Sequence, residues 1–331
     1  MHSSRERPEK RRLLGFVGKA VFSLVIIAAV LHLSDMGSVV DTLTKISIPA
    51  LVAAMGITFA QIVLSGLRWF CLCRQTGNFL KPWTTLRIMF LAMFSTQLMP
   101  TSIGADVVRA VMATRAGMDW TRATSTVVLD RAAGLLSLLV MMAVTGFVIA
   151  DLLPDSRPVG LLRGLPFAAI AAVVTLTLTG ERLAGVLEGR RGFGAAVRIL
   201  RDFHRLMTGG WLSLVVLGLS FSLHLLGAAC IWVIADGIGW PVSYLQILGF
   251  LPVVILAMLI PVSIAGWGVR EGMIVLLFSV LHIGAAEAFS VSVLWGGVTV
   301  ASAVLAGGIW FWTRNEGDRI PLPADADGQA P

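Results

Sequence analysis

The chain alternates long apolar runs with short polar intervals, and the runs are too long to be core helices of a water-soluble domain. A helix needs about 20 consecutive apolar residues to cross a hydrocarbon core roughly 30 Å thick. Runs of that kind occur at 13–33, 48–67, 124–150, 161–179, 211–235 and 288–312. They predict a polytopic helical bundle. Two further apolar stretches are interrupted. Leu86 to Leu98 is short and ends at a proline, and Tyr244 to His282 is broken near its middle by Pro261 and a glycine-containing turn.

The two interruptions are related in sequence. Leu98 to Met112 reads LMPTSIGADVVRAVM and Leu259 to Met273 reads LIPVSIAGWGVREGM, with seven of fifteen positions identical. The shared residues include Pro100/Pro261, Ser102/Ser263, Ile103/Ile264 and Arg109/Arg270. The likeness resumes at Ala123 to Leu129 and Ala288 to Leu294, identical at four of seven positions. Chance likeness between apolar segments explains shared Val and Leu but not a shared P-x-S-I-x4-V-R. A duplicated segment carrying a helix breaker and a charge is the sequence mark of a two-repeat transporter.

Composition agrees with the run lengths. Hydrophobic residues make up 56% of the 331 residues and charged residues 14%, too few polar groups to cover a soluble surface of that size. The net charge of +7 reads as topology, because the basic residues gather in a few loops. A basic face interleaved with stacking aromatics is lacking, so nucleic acid is not an expected partner. Cys71, Cys73 and Cys230 have no histidine or cysteine neighbours at metal-ligand spacing, so neither metal nor cofactor is expected.

The loop charges set an orientation. Residues 1–12 are basic and read as a cytoplasmic N-terminus ahead of an uncleaved first span, 13–33. Asp35 and Asp41 then fall outside, while Arg68, Arg74, Lys81 and Arg87 fall inside. Arg115 and Arg122 should also be cytoplasmic, which is possible only if residues 84–114 enter and leave from the same side. Such a re-entrant hairpin, with its tip at Met99 to Ser102, is tolerated at membrane depth where protein or a wet cavity surrounds it. Asp151, Asp155 and Arg157 make an outer loop, and 181–208 is a cytoplasmic segment with six arginines. Within it Phe193, Val197, Leu200, Phe203 and Met207 recur at helical spacing, predicting an amphipathic helix on the inner leaflet, with a soluble loop helix as the alternative. The second hairpin, 244–283, enters from outside. The fold class is therefore all-α integral membrane, a bundle of two inverted-topology repeats (13–150 and 151–312), each with a re-entrant helical hairpin. Residues 313–331 form a polar tail expected to be disordered. Both termini face the cytoplasm of a bacterial inner membrane.

Arg109 and Arg270 are the sharpest candidates for function. An arginine at the bilayer centre costs on the order of 2.5–3.5 kcal/mol on insertion scales, so each needs a partner. Asp106 lies one helical turn before Arg109. Glu271 adjoins Arg270 but is turned about 100° from it on a helix and is expected to face another partner. Each arginine should sit about two turns into a half-helix whose N-terminus points at the hairpin tip, where free N–H groups and guanidinium suit an anionic headgroup. The alternative is that both arginines clamp the hairpins to neighbouring spans. Asp130 and Arg131, adjacent in a long apolar run, must look to different segments; Arg109 for the first or a lipid phosphate for the second are natural choices, and a mutual structural network is the alternative. Gln97, Ser102 and Ser263 can line a cavity or satisfy backbone, and Pro100 and Pro261 mark the hairpin tips. Gly104, Gly266 and Gly268, the last two flanking Trp267, permit a tight turn. His224 and His282 could relay protons or each make one interhelical hydrogen bond. Trp69, Trp83, Trp211, Trp240 and Trp312 lie near run ends, where an interfacial belt suffices to explain them.

The strings QLMPTSIGADVVRAVMATRAG, VVLDRAAGLLSLL, LIPVSIAGWGVREGM and AAEAFSVSVL resemble the lysylphosphatidylglycerol synthase transmembrane-region family, whose fold is described as flippase-like. The likeness covers roughly 13–312. It implies a membrane domain that moves a lipid between leaflets; relatives include proteins encoded with hopanoid and glycolipid pathways. In bifunctional relatives a separate cytosolic domain performs aminoacyl transfer, and nothing in this chain matches it. Ala105 stands where the family often has a second glycine. There is no Walker sequence, dinucleotide fingerprint or G-x-S-x-G elbow. The favoured reading is translocation of an amphipathic lipid, anionic or isoprenoid, with membrane lipids and lipid-biosynthesis enzymes as partners. The alternatives are a component of lipid or polyprenyl-linked glycan modification, using Asp106, Asp130 or Glu271 as acid or base, and a scaffold for a pathway enzyme.

Overall fold

The computed structural model describes residues 25, 26, 28, 36–77, 80–99, 103–150, 157–190, 192–260 and 266–313. Every regular element among them is a helix: α1 (Met36–Thr44), α2 (Ile48–Gln75), α3 (Pro82–Leu98), α4 (Ile103–Arg115), α5 (Trp120–Ala150), α6 (Arg157–Leu187), α7 (Gly194–Thr208), α8 (Trp211–Gly237), α9 (Tyr244–Leu259), α10 (Val269–Ser279) and α11 (Ala285–Thr313). Five of these, α2, α5, α6, α8 and α11, are long and apolar enough to cross a membrane. The first expected span (13–33), Asp151 and Asp155 of the outer loop, and the tail beyond Thr313 fall almost entirely outside the described residues.

The helices begin where local chemistry starts them. Ser47 caps α2, its hydroxyl accepting from the Ala50 N–H, with Pro49 in the first turn. Ser243 and Gln246 form a reciprocal capping box at α9, satisfying two otherwise orphaned donors. Several boundaries differ from the run-length reading. The second span does not stop at Leu67 but continues to Gln75, because Arg68 is satisfied inside the bundle by Asp130 and Ser220. The sixth helix starts at Arg157, not Leu161, and continues past Thr179 to Leu187.

A central antiparallel pair organises the bundle. The Ser47 N–H donates to Gly237 O at 3.2 Å at one end of α2 and α8. At the other end Gln75 Nε2 donates to Ser213 Oγ at 2.7 Å. Between them Gln61 Nε2 donates to Leu223 O at 2.9 Å. Several of the other contacts come in matching sets. α3 lies against α11 and α9 against α5; α5 touches α8 and α11 touches α2. Successive contacts α3–α4–α5 have their counterpart in α9–α10–α11.

Two helix–break–helix units use opposite ends of the α2–α8 pair. α3 starts shortly after α2 ends, and α4 ends just before Asp119, whose carboxylate is 3.7 Å from Arg198 of α7. Both outer ends of α3 and α4 therefore sit at the end marked by Gln75, Trp120 and Trp211. For α9 and α10 the arrangement is reversed. Trp240, just beyond Gly237, stacks on Phe278 at 5.5 Å and joins the start of α9 to the end of α10. None of these four helices exceeds 17 residues, about 26 Å at most at 1.5 Å per residue.

The amphipathic helix predicted within 181–208 forms as α7, but its apolar face is not left for a leaflet. Val197, Phe203 and Leu206 are buried, the last two against Leu72, Leu129 and Val216. Neighbouring helix ends compete for that stripe and win, because they cover it on a fixed surface. Phe193 alone of the expected stripe is prominently exposed.

Candidate functional site

The first arginine cluster joins three helices around one carboxylate. Asp130 on α5 is almost wholly buried, accepting from Arg68 Nε of α2 at 2.8 Å and from Arg109 Nη1 of α4 at 2.9 Å. Both carboxylate oxygens are thus held by guanidinium donors, the strong charge-assisted kind. Arg68 also donates to Ser220 Oγ at 3.2 Å. The Arg109 guanidinium lies 4.6 Å from the Trp69 ring centroid, and Trp69 fixes its own ring by donating Nε1–H to Thr126 Oγ1 at 3.3 Å. Asp106 approaches Arg109 only to 3.6 Å and instead accepts from Arg131 Nε at 2.9 Å.

Two arginines, Arg68 and Arg109, share the single buried carboxylate of Asp130. Arg109 Nε and Nη2 are buried and make no hydrogen bond, an expensive condition for a guanidinium.

The second cluster is closed and neutral. Arg270 Nε donates to Glu271 Oε1 at 3.0 Å and to Ser292 Oγ at 3.2 Å, and Nη2 also reaches Glu271. Glu271 Oε2 accepts from the Gly268 N–H at 2.6 Å. The guanidinium lies against two indoles, Trp267 at 4.4 Å and Trp295 at 5.5 Å. Gly296 leaves it room, since a Cβ there would collide with Nη2 and the Trp267 ring.

Two expectations about this cluster are corrected. Arg270 is in the first turn of α10, not two turns in, because Gly266 and Gly268 adopt φ of 83° and 87° and delay the helix. Glu271 does not look elsewhere. As the third helical residue it reaches back to the Gly268 amide, and Arg270 curls round to meet it there. Arg109 matches better, six residues after α4 begins at Ile103.

Between the clusters lies a cavity of about 470 Å³ bordered by α2, α3, α5, α8, α9 and α11, within the roughly 300–1,000 Å³ common for small-molecule clefts. Arg68, Asp130, Arg131, Gln61 and His224 supply polar lining, and Trp295 reaches it from the second cluster. Arg131, Leu135 and Leu259 stand at its exposed margin. The two repeat arginines do not themselves line the cavity; their partners do. Arg109 stands behind Asp130, and Arg270 behind Trp295.

The other candidates divide. The Asp130–Arg109 pairing is present, and Asp106 accepts from Arg131 Nε. His224 makes one interhelical contact, Nε2 to Gly134 O at 3.0 Å. His282 sits in the α10–α11 turn with φ of 58°. Gln97 is half-buried and does not border the cavity. Gly104 packs beneath the Met99 side chain and Gly266 beneath Met258. Pro100, Ser102, Pro261 and Ser263 lie outside the described residues. Sequence reasoning missed Arg68 and Trp69. It placed Arg68 in a basic loop and Trp69 in an interfacial belt, yet Trp69 is 0% exposed. The available signal was Asp130: a carboxylate deep in an apolar run asks for more than one donor. Trp295 and Ser292, at helical spacing from each other, carried no such mark.

No curated protein matches the chain. The sequence profile described as lysylphosphatidylglycerol synthase TM region matches residues 16–307, with no other domain. The match spans the helices that hold both arginine clusters and the cavity between them, and this multi-pass membrane protein belongs to the lysylphosphatidylglycerol synthase transmembrane-region family.

Proposed function

We propose that this protein moves an amphipathic lipid with an anionic headgroup between leaflets, the headgroup passing through the central cavity while the tails stay in the bilayer. The observation that carries the reading is a guanidinium at the cavity wall that must share its carboxylate. Arg68 lines the cavity and divides Asp130 with Arg109 behind it, and two buried Arg109 nitrogens lack hydrogen bonds. A phosphate oxygen entering beside Arg68 would give the pair a second acceptor. The cavity margin at Leu135 and Leu259 gives tails a sideways exit.

The same reading takes the chain as two inverted repeats with re-entrant hairpins α3–α4 and α9–α10. Three observations support it: the sequence duplication, the matching helix contacts, and hairpins whose outer ends lie at opposite ends of the α2–α8 pair. Inverted repeats place a substrate site at their interface. The arginine-rich end of α2, α4 and α7 is then cytoplasmic by the positive-inside bias.

Acid–base chemistry in lipid or glycan modification is the weaker reading. Asp106, Asp130 and Glu271 each accept from an arginine, so their oxygens are already engaged within the protein. The test is a transbilayer assay on proteoliposomes, scoring how fast an anionic and a zwitterionic lipid of equal chain length reach the outer leaflet. Movement of the anionic lipid that is lost in Arg68→Gln, with the folded fraction unchanged, is expected. Equal rates in protein-free vesicles would overturn the proposal.

A further inference from the structure

We propose a second, separate anion site: an arginine-lined groove at the membrane surface that holds the phosphate of an anionic lipid of the adjoining leaflet. The groove has a volume of about 430 Å³ and is walled by the end of α6, by α7 and by the start of α5. Arg122, Arg190, Arg198, Arg201 and Arg205 line it, against Glu188 and Asp202, a surplus of three positive charges.

The local pairing leaves part of that charge unspent. Arg201 is 2.6 Å from Glu188, Arg205 3.5 Å from Asp202, and Arg198 3.7 Å from Asp119. Asp202 is further committed, accepting from Ser125 Oγ at 2.8 Å. Arg122 and Arg190 make no ion pair among the described residues, and both are exposed. The Glu188 carboxyl, although exposed, is held below its ordinary range by the Arg201 hydrogen bond and charge, so it does not become a neutral bystander near neutral pH.

Position identifies the occupant. Three of the five candidate membrane spans end at this groove, and a fourth begins near it. Thr76 follows α2, Leu187 closes α6, and both line it. α5 and α8 begin beside it with Trp120 and Trp211, which are 51% and 78% exposed. Exposed tryptophans at the ends of spans mark headgroup depth. An arginine groove at that depth meets lipid phosphates before it meets anything soluble, and bidentate guanidinium contacts suit phosphodiester oxygens. The groove is separate from the central cavity, with no lining residue in common. It therefore holds a leaflet lipid whether or not the cavity translocates one.

The test uses the full chain in nanodiscs containing a photoactivatable phosphatidylglycerol or, separately, the matching phosphatidylcholine, with crosslinked peptides mapped by mass spectrometry. Phosphatidylglycerol is expected to label 187–205 and 120–125 in preference to phosphatidylcholine. Arg122→Gln and Arg190→Gln, neither of which breaks an ion pair, should each weaken that labelling about fivefold, and together about twenty-five-fold, without changing the thermal unfolding midpoint. Equal labelling by phosphatidylcholine, or no loss in the double variant, would overturn the proposal. Competition by inorganic phosphate or glycerophosphoglycerol at concentrations comparable to the lipid would also overturn it, by making the site one for a soluble phosphate.

Discussion

Asp130 and Trp295 occupy corresponding positions of the two sequence copies, each directly after the matched Leu129/Leu294, and each lies against the arginine of its own copy. Asp130 accepts from Arg109 at 2.9 Å, while the Trp295 ring centroid is 5.5 Å from the Arg270 guanidinium. The same exchange recurs at Asp106 and Trp267, which also align. The first segment holds its arginine with carboxylates and the second holds the aligned arginine between indoles. The second segment supplies its own carboxylate next door, Glu271. Two aligned arginines thus sit in two different devices: an ionic cluster beside the cavity and a closed aromatic cage behind it.

That difference predicts unequal costs of mutation. Asp130→Asn leaves two guanidinium groups facing each other without their shared acceptor, and removing one partner of a buried ion pair costs about 3–5 kcal/mol. Arg68→Ala leaves Asp130 still bound to Arg109 and should cost clearly less. Thermal unfolding in mild detergent measures both; equal destabilisation would mean that Arg109 alone does not hold the carboxylate.

The aromatic cage makes a sharper steric prediction. In Gly296→Ala the new methyl strikes the Arg270 guanidinium and the Trp267 ring, and overpacking of this kind costs roughly 1–3 kcal/mol. Gly297→Ala, one residue on, meets nothing within 4 Å and should be neutral or stabilising by up to about 1 kcal/mol through helix propensity. The pair can be compared by unfolding midpoints, and a reversed order would place Arg270 elsewhere.

Much of this arrangement was legible before any coordinates. Run lengths located the five long helices, and a proline followed by a charge located both breaks. The Arg109–Asp130 pair followed from two charges that each needed a partner. What the sequence hid has physical causes. Arg68 and Trp69 look like a helix end because a basic residue followed by tryptophan is the usual signature of a membrane interface; only the carboxylate of another helix keeps α2 going past them. The Arg270–Glu271 contact defies ordinary helix geometry because two glycines with positive φ place it in a first turn. The apolar stripe of α7 reads the same whether lipid or protein covers it.

Topology supplies a third prediction. Single cysteines introduced at Arg74, Arg115 and Arg198, in a background where the buried Cys71, Cys73 and Cys230 are replaced, should all be labelled from one side of the membrane. Cysteines at Asp41 and Asp236 should be labelled from the other. Labelling of position 115 together with 236 would mean that α3 and α4 do not return to the end from which they enter.

Arg131 should separate function from stability. It is half exposed at the cavity margin, where Asp106 accepts from its Nε at 2.9 Å. Arg131→Gln is expected to slow anionic lipid movement severalfold when rates are compared at equal folded protein. A large fall in stability at unchanged rate would make it a clamp.

On the proposed function, the Arg68 guanidinium beside the cavity selects and passes an anionic headgroup. The most direct measurement of that selection is the ratio of transbilayer rates for an anionic and a zwitterionic lipid of identical chains, in proteoliposomes of the native protein and of Arg68→Gln. The account predicts a ratio well above one for the native protein, collapsing toward one in the variant while the protein remains folded. A native ratio of one, or a ratio that Arg68→Gln leaves untouched, would contradict it.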